Sequence, residues 1–185
     1  GFGKYARLAP NYERYQKALG LVHLMSDSQF IAGLNLLEQI ISEEPDFTLA
    51  QVALSEAFAQ RTRMKRFLTS ARSDDLNRAL FHAEAALKTP DSSKHLDAVY
   101  RAMARAWQAQ KKAPQALEAI RKALKLKPGD SESQVAYLEI AHSANLPFDQ
   151  IFAELKTYQD KPNDPWVQFS LATLLLRQLR QQAKN

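Results

Sequence analysis

Residues 100–128 read YRAMARAWQAQKKAPQALEAIRKALKLKP, and their spacing decides the fold. Tyr100, Met103 and Trp107 recur at helical intervals and so share one face of a first helix, while Ala104 beside them lets a second helix come close. After a polar turn, Ala116, Ile120 and Ala123 repeat the pattern from the other side, and Pro128 closes the unit because proline cannot continue a helix. Pro114 suits the first turn of the second helix, where amide donors lack helical partners in any case. Two helices cannot bury the face they share, so the unit predicts neighbours stacked on either side of it.

Outward from this unit, Pro45, Pro90, Pro128 and Pro162 each follow a pair of helical runs, at spacings of 45, 38 and 34 residues. Gly33, Leu37, Ile40 and Pro45 reproduce the second-helix pattern, with Gly20 close to the small position of the first helix. Ala79, Ala83 and Ala86 do so before Pro90, one residue out of register, and the unit ending at Pro162 carries Gln150 and Thr157 where small or apolar residues are expected. Apolar periodicity and breakers predict nine helices: 11–25, a second to about 42, 47–65, 73–88, 93–110, one from 114, 131–143, 148–158, and one from 165. Ser73, Asp74 and Asp75 offer N-cap oxygens for the fourth, and Asp164 followed by Pro165 does so for the ninth. In that last helix Trp166, Phe169, Leu171 and Leu175 read as one side, ringed by Arg177, Gln178 and Gln181, so 165–181 is expected to cap the array. Residues 1–9 read as an N-terminal stub and 66–73 as an inserted loop within a single domain of residues 1–185.

The 100–128 unit is similar, position for position, to the tetratricopeptide (TPR) repeat, whose period is 34 residues. The resemblance implies an all-α fold: a right-handed α-solenoid of about four degenerate TPR-like helix pairs plus a C-terminal capping helix. The stretches YERYQKALGLVHL (12–24), GLNLLEQIISEEPDFTLAQVALSEAFA (33–59) and KHLDAVYRAMARAWQAQKKAPQALEAIRKALKLKPG (94–129) also resemble the helical region of ToxR-like or CadC-like bacterial transcriptional activators. That likeness implies a sensory or effector domain in signal transduction, periplasmic if the regulator is membrane-anchored and cytoplasmic otherwise. In TPR proteins the first helices line a concave surface that holds a peptide or protein segment, which here implies Arg101, Arg105 and Gln108, with Glu139, His142 and Ser55 on the adjacent helices. Arg101 and Arg105 are spaced to hold a carboxylate bidentately. The Lys/Asn clamp of chaperone-tail-binding TPRs is not reproduced.

Composition leaves room for that role and removes others. Hydrophobic residues make up 45% and charged residues 24%, as in folded soluble chains, and the formal charge of +5 favours acidic partners only mildly. The absence of cysteine excludes disulfides, thiolate metal sites and a cysteine nucleophile. The most apolar run, 171–176, is far shorter than the about 20 residues that span a bilayer. The abrupt opening Gly1-Phe2-Gly3 reads as a fragment of a longer protein. His23, His82, His95 and His142 show no metal-ligand spacing, and neither a phosphate-cradling glycine loop nor a nucleophile elbow is present, so no catalytic residue, metal or cofactor is expected. Glu43-Glu44 and Asp74-Asp75 sit at helix ends and read as caps, and Trp107 and Trp166 read as core. The acid-free segment Arg61, Arg63, Lys65, Arg66 and Arg72 offers a second reading, grip on nucleic acid or an acidic partner. A homodimer through the terminal helices is a third.

Overall fold

The computed structural model describes residues 2–24, 26–63, 74–158 and 164–182. Among them the chain forms nine α-helices and one 3-10 turn, with no strand: α1 (Phe2–Val22), α2 (Asp27–Glu43), α3 (Thr48–Arg63), α4 (Asp75–Lys88), the turn Ser92–Lys94, α5 (Leu96–Ala109), α6 (Ala113–Leu126), α7 (Ser131–Ser143), α8 (Phe148–Thr157) and α9 (Pro165–Gln182). The inserted segment 66–73 lies outside the described residues.

The helix ends show why the chain turns where it does. Asp130 accepts a hydrogen bond from the Ser133 amide at 2.9 Å and starts α7; Asp164 accepts from the amides of Trp166 and Val167, at 2.9 and 3.2 Å, and starts α9. These two caps are 34 residues apart. Lys111 and Asn145, also 34 apart, adopt the left-handed conformation (φ 60 and 57) that ends α5 and α7. Each turn is closed alike, the amide of Lys112 donating to the Trp107 carbonyl at 2.9 Å and that of Leu146 to the Ala141 carbonyl at 3.0 Å. Gln51 and Gln134 brace two corners in the same manner, their side-chain amides donating to the carbonyls of Pro45 at 2.9 Å and Pro128 at 2.6 Å. The 34-residue spacing of Pro128 and Pro162 is thus shared by the turns after α5 and α7 and by the caps of α7 and α9.

Consecutive helices pack as hairpins, α1 on α2, α3 on α4 and α5 on α6. The odd-numbered helices also lie side by side, α3 on α5, α5 on α7 and α7 on α9. On the even-numbered helices, Arg78 of α4 pairs with Glu38 of α2, and Arg121 of α6 with Glu154 of α8 at 2.6 Å. Alanines permit the close approaches: Ala104, Ala116, Ala119 and Ala123 pack with Tyr137, Leu138 and Ile140 in one core, which runs on to Leu155 and Leu171. A second core around Phe30, Leu37, Ile40, Leu54 and Phe58 joins α1 to α4. Gly33 marks the tightest crossing, since a Cβ there would meet the Leu21 Cβ at 2.8 Å and the Ala18 carbonyl at 2.9 Å. Gly20 faces open space instead, with nothing within 4 Å of such a Cβ.

Three sequence expectations need correction. The segment taken as a stub is helical from Phe2, for Pro10 forfeits its own hydrogen bond without ending α1. Asp74 stands at the N-cap of α4 but makes no side-chain cap bond. In α9 the buried stripe is Val167, Leu171 and Leu174, whereas Trp166 and Phe169 are 59% and 66% exposed and Leu175 points outward with them. Both sides of α9 are apolar, so periodicity alone could not say which one faces α7.

Candidate partner-binding face

One face of α3, α5 and α7 carries polar side chains at helical spacing: Glu56 and Arg63 on α3, Arg101, Arg105 and Gln108 on α5, Glu139 and His142 on α7. Because the three helices lie side by side, these side chains meet across the helices. At one end the Arg101 guanidinium reaches Glu56 at 2.8 Å, Asp130 at 3.1 Å and Glu132 at 3.0 Å. At the other end Arg105 pairs with Glu139, Arg63 reaches the same Glu139 oxygen at 3.3 Å, and the Gln108 carbonyl oxygen accepts from Arg105 at 3.4 Å and Arg63 at 3.5 Å.

The face is therefore polarised, with one guanidinium against three carboxylates at the first end and two against one at the second. Burial alone would pull Arg101 down, but Glu56, Glu132 and Asp130 outweigh it and hold its guanidinium above the ordinary arginine range. Burial would raise Glu139 and Asp130; the nearby Arg105 and Arg63 in the first case, and Ser133 with Arg101 in the second, hold both carboxyls below their usual range. Arg63 differs, since burial and then the neighbouring Arg105 depress it despite Glu139. The second end is short of negative charge.

Of the residues expected on this face, Arg101, Arg105, Gln108 and Glu139 are brought together, and half-buried His142 lies one turn beyond Glu139. Ser55 is not on it: fully buried, its hydroxyl donates to the Ala79 carbonyl at 2.7 Å and belongs to the α3–α4 contact. Asp130, Glu132 and Arg177 were missed. Asp130 reads locally as a helix cap, and nothing in its neighbourhood along the chain signals that Arg101, 29 residues away, also binds it. Arg177 of α9 acts on Glu139 from a helix that periodicity had assigned to capping.

The basic segment is divided. Arg61 is buried against Asp75 of α4, and Arg63 turns to Glu139; Lys65, Arg66 and Arg72 lie outside the described residues. Beyond Glu139 a cavity of about 250 Å³ opens between the end of α7, the start of α8 and the middle of α9, lined by His142, Leu146, Phe148, Ile151 and Leu174 among others. Trp107 is half-buried against the core, with the Lys112 ammonium 4.8 Å from its ring centroid. Among the described residues no group of three His, Cys, Asp or Glu side chains is placed to hold a metal, and no helix is long and apolar enough to cross a membrane.

His82 illustrates how polar groups are accommodated between the helices. Its ring stacks on Phe58 at 5.7 Å, its Nδ1 donates to Gln51 Oε1 at 2.8 Å, and burial, then Arg78, lower its pKa from 6.5 to about 4. A depressed histidine disfavours protonation of the fold, so its stabilising effect is complete above pH 6.5 and is lost as pH falls towards 4. At about 1.4 kcal/mol per pH unit, unfolding free energy should fall by about 3 kcal/mol across that window. Urea titrations from pH 7 to 4 check this: the slope should flatten in His82→Gln, and an unchanged slope would remove His82 as its source.

Compared with known proteins, the chain matches no family model, no curated protein and no solved structure.

Proposed function

We propose that this chain is a non-catalytic interaction module, a TPR-like α-solenoid that holds a protein or peptide segment along the face formed by α3, α5 and α7. The observation that carries the reading is the polarised row of side chains across those helices, acidic around Arg101 and basic around Glu139, which would orient an extended charged segment laid over it. The solenoid reading is supported by turn and cap geometry recurring at 34 residues and by side-by-side packing of the odd-numbered helices. Such a module suits the sensory or effector part of a bacterial transcriptional regulator.

The test is photo-crosslinking in cells of the source organism. A benzophenone amino acid at Gln108, at the basic end of the face, should capture a discrete partner, while the same probe at Lys122 on the exposed side of α6 should not. Equal capture from both positions would sink the assignment of the face.

A second reading, self-association, is favoured by α9. Its outer side presents Trp166, Phe169, Leu175, Leu176 and Leu179 to solvent, with the Trp166 and Phe169 rings stacked at 6.4 Å. Light scattering should then show a concentration-dependent dimer that Phe169→Glu abolishes; a monomer at every concentration would end that reading.

A further inference from the structure

We infer that the basic end of this face is a receptor for a doubly charged phosphate group carried on the segment it holds, a phosphorylated serine or threonine. The inference rests on the reading of the α3–α5–α7 face as a binding surface and names the chemistry that this end recognises.

The charge balance at that end carries it. Arg63 from α3 and Arg105 from α5 both address one Glu139 oxygen, and Arg177 from α9 acts on the same carboxylate. Among the described residues, Glu139 is the one acid paired with Arg63 or Arg105. Three guanidiniums thus face a single carboxylate, which leaves two positive charges unbalanced. Arg63 registers the excess, since burial and then Arg105 hold its guanidinium below the ordinary arginine range, against the pull of Glu139. The cluster is open to solvent: the side chains of Arg63 and Glu139 are 35% and 40% exposed, and Arg177 is exposed as well. An anion can reach it without parting the helices.

The size of the excess selects the anion. A carboxylate brings one charge and two acceptor oxygens, and would leave the end still positive. A phosphate monoester brings about −1.5 to −2 charges at neutral pH and three acceptor oxygens. Each guanidinium is a planar fork of five N–H donors, so donors remain on Arg63 and Arg105 after both have bound Glu139. The rest of the face disfavours a nucleic-acid backbone. Arg101 stands one turn, about 6 Å, before Arg105 on α5, and there Glu56, Asp130 and Glu132 outnumber it. That is within the Debye length of about 10 Å at 0.1 M salt, so a chain of phosphates crossing the face would be repelled at its acidic end. A single phosphate on a peptide would not.

The experiment is fluorescence anisotropy at low salt with neutral octapeptides that carry an uncharged dye and a central phosphoserine, glutamate or serine. The phosphoserine peptide should bind at least about tenfold more tightly than the glutamate peptide, and the serine peptide more weakly still. Arg63→Gln combined with Arg177→Gln, at partly exposed positions, should erase that preference with the helical circular dichroism unchanged. Glu139→Gln, which removes the internal competitor, should tighten phosphopeptide binding by about threefold, a gain that unfolding cannot mimic. Equal binding of phosphoserine and glutamate, no binding of either, a preference that survives the arginine changes, or unchanged or weaker binding in Glu139→Gln would each overturn the inference. So would inorganic phosphate competing as well as the phosphopeptide does, or tighter binding of a labelled DNA duplex through the same arginines. A Gln108 crosslink to a partner that carries no phosphate would overturn this site alone, whereas loss of that crosslink removes the face itself.

Discussion

Arg61→Ala is expected to lower the unfolding free energy by about 3–5 kcal/mol. The side chains of Arg61 and Asp75 are 5% and 0% exposed, and the guanidinium meets both carboxylate oxygens, Nε donating at 2.8 Å, while its plane lies over the Phe58 ring at 5.4 Å from the centroid. Removing the cation takes the buried guanidinium away from a carboxylate sealed in the α3–α4 hairpin, and the loss of that charge partner, more than the lost packing, is what costs so much. The control follows from the same physics: Arg61→Met combined with Asp75→Leu removes both charges and should regain most of the loss. Urea denaturation at neutral pH reads both outcomes. A single variant within about 1 kcal/mol of the parent would mean that the Asp75 charge is satisfied without Arg61.

The second large effect is at Arg101, whose side chain is 12% exposed and holds three carboxylates of α3 and α7 to α5. Arg101→Met keeps the length of the side chain and removes its charge, leaving Glu56, Asp130 and Glu132 to repel one another. We expect a loss of about 2–3 kcal/mol at pH 7, below the fully buried case because Glu132 is on the surface. The sign with pH is decisive. Against burial, the Ser133 hydrogen bond and then Arg101 hold the Asp130 carboxyl below its usual range, so the part of the stabilisation that comes from Arg101 is present at neutral pH and lost as Asp130 protonates. The difference between parent and variant should therefore shrink on acidification towards pH 3, with the His82 contribution common to both. A difference independent of pH would show that Arg101 acts through packing alone. It also follows that Arg101→Ala is a poor probe of partner capture, because it disturbs the scaffold on which the face is built; Arg63 and Arg177 are the positions where binding can be tested without that confusion.

The sequence was most legible where structure is local. The helix expected at 131–143 and the start of the ninth helix at Pro165 coincide with α7 and α9, because caps and proline act within a few residues. The all-helical character followed from periodicity for the same reason. Arg101 is 45 residues from Glu56 and 29 from Asp130, and at that separation no spacing rule joins them; the arginines read as an open clamp are the hub of internal ion pairs. Ser55 and Glu56 are adjacent in sequence, but one step of 100° around α3 sends the first into the α4 interface and the second to Arg101. In α9 the two apolar sides compete, and only the position of α7 decides between them.

The arrangement of α9 has a further consequence for how the molecule opens. Most helices are gripped by neighbours on two sides, whereas α9 packs chiefly on α7. A helix held chiefly on one side can detach while the helices packed on both sides stay closed. Amide hydrogens of α9 would then exchange with solvent ahead of those of α5 and α6. A segment bridging α9 to α7 would slow the exchange, so that occupancy is written into the protection of this terminal helix.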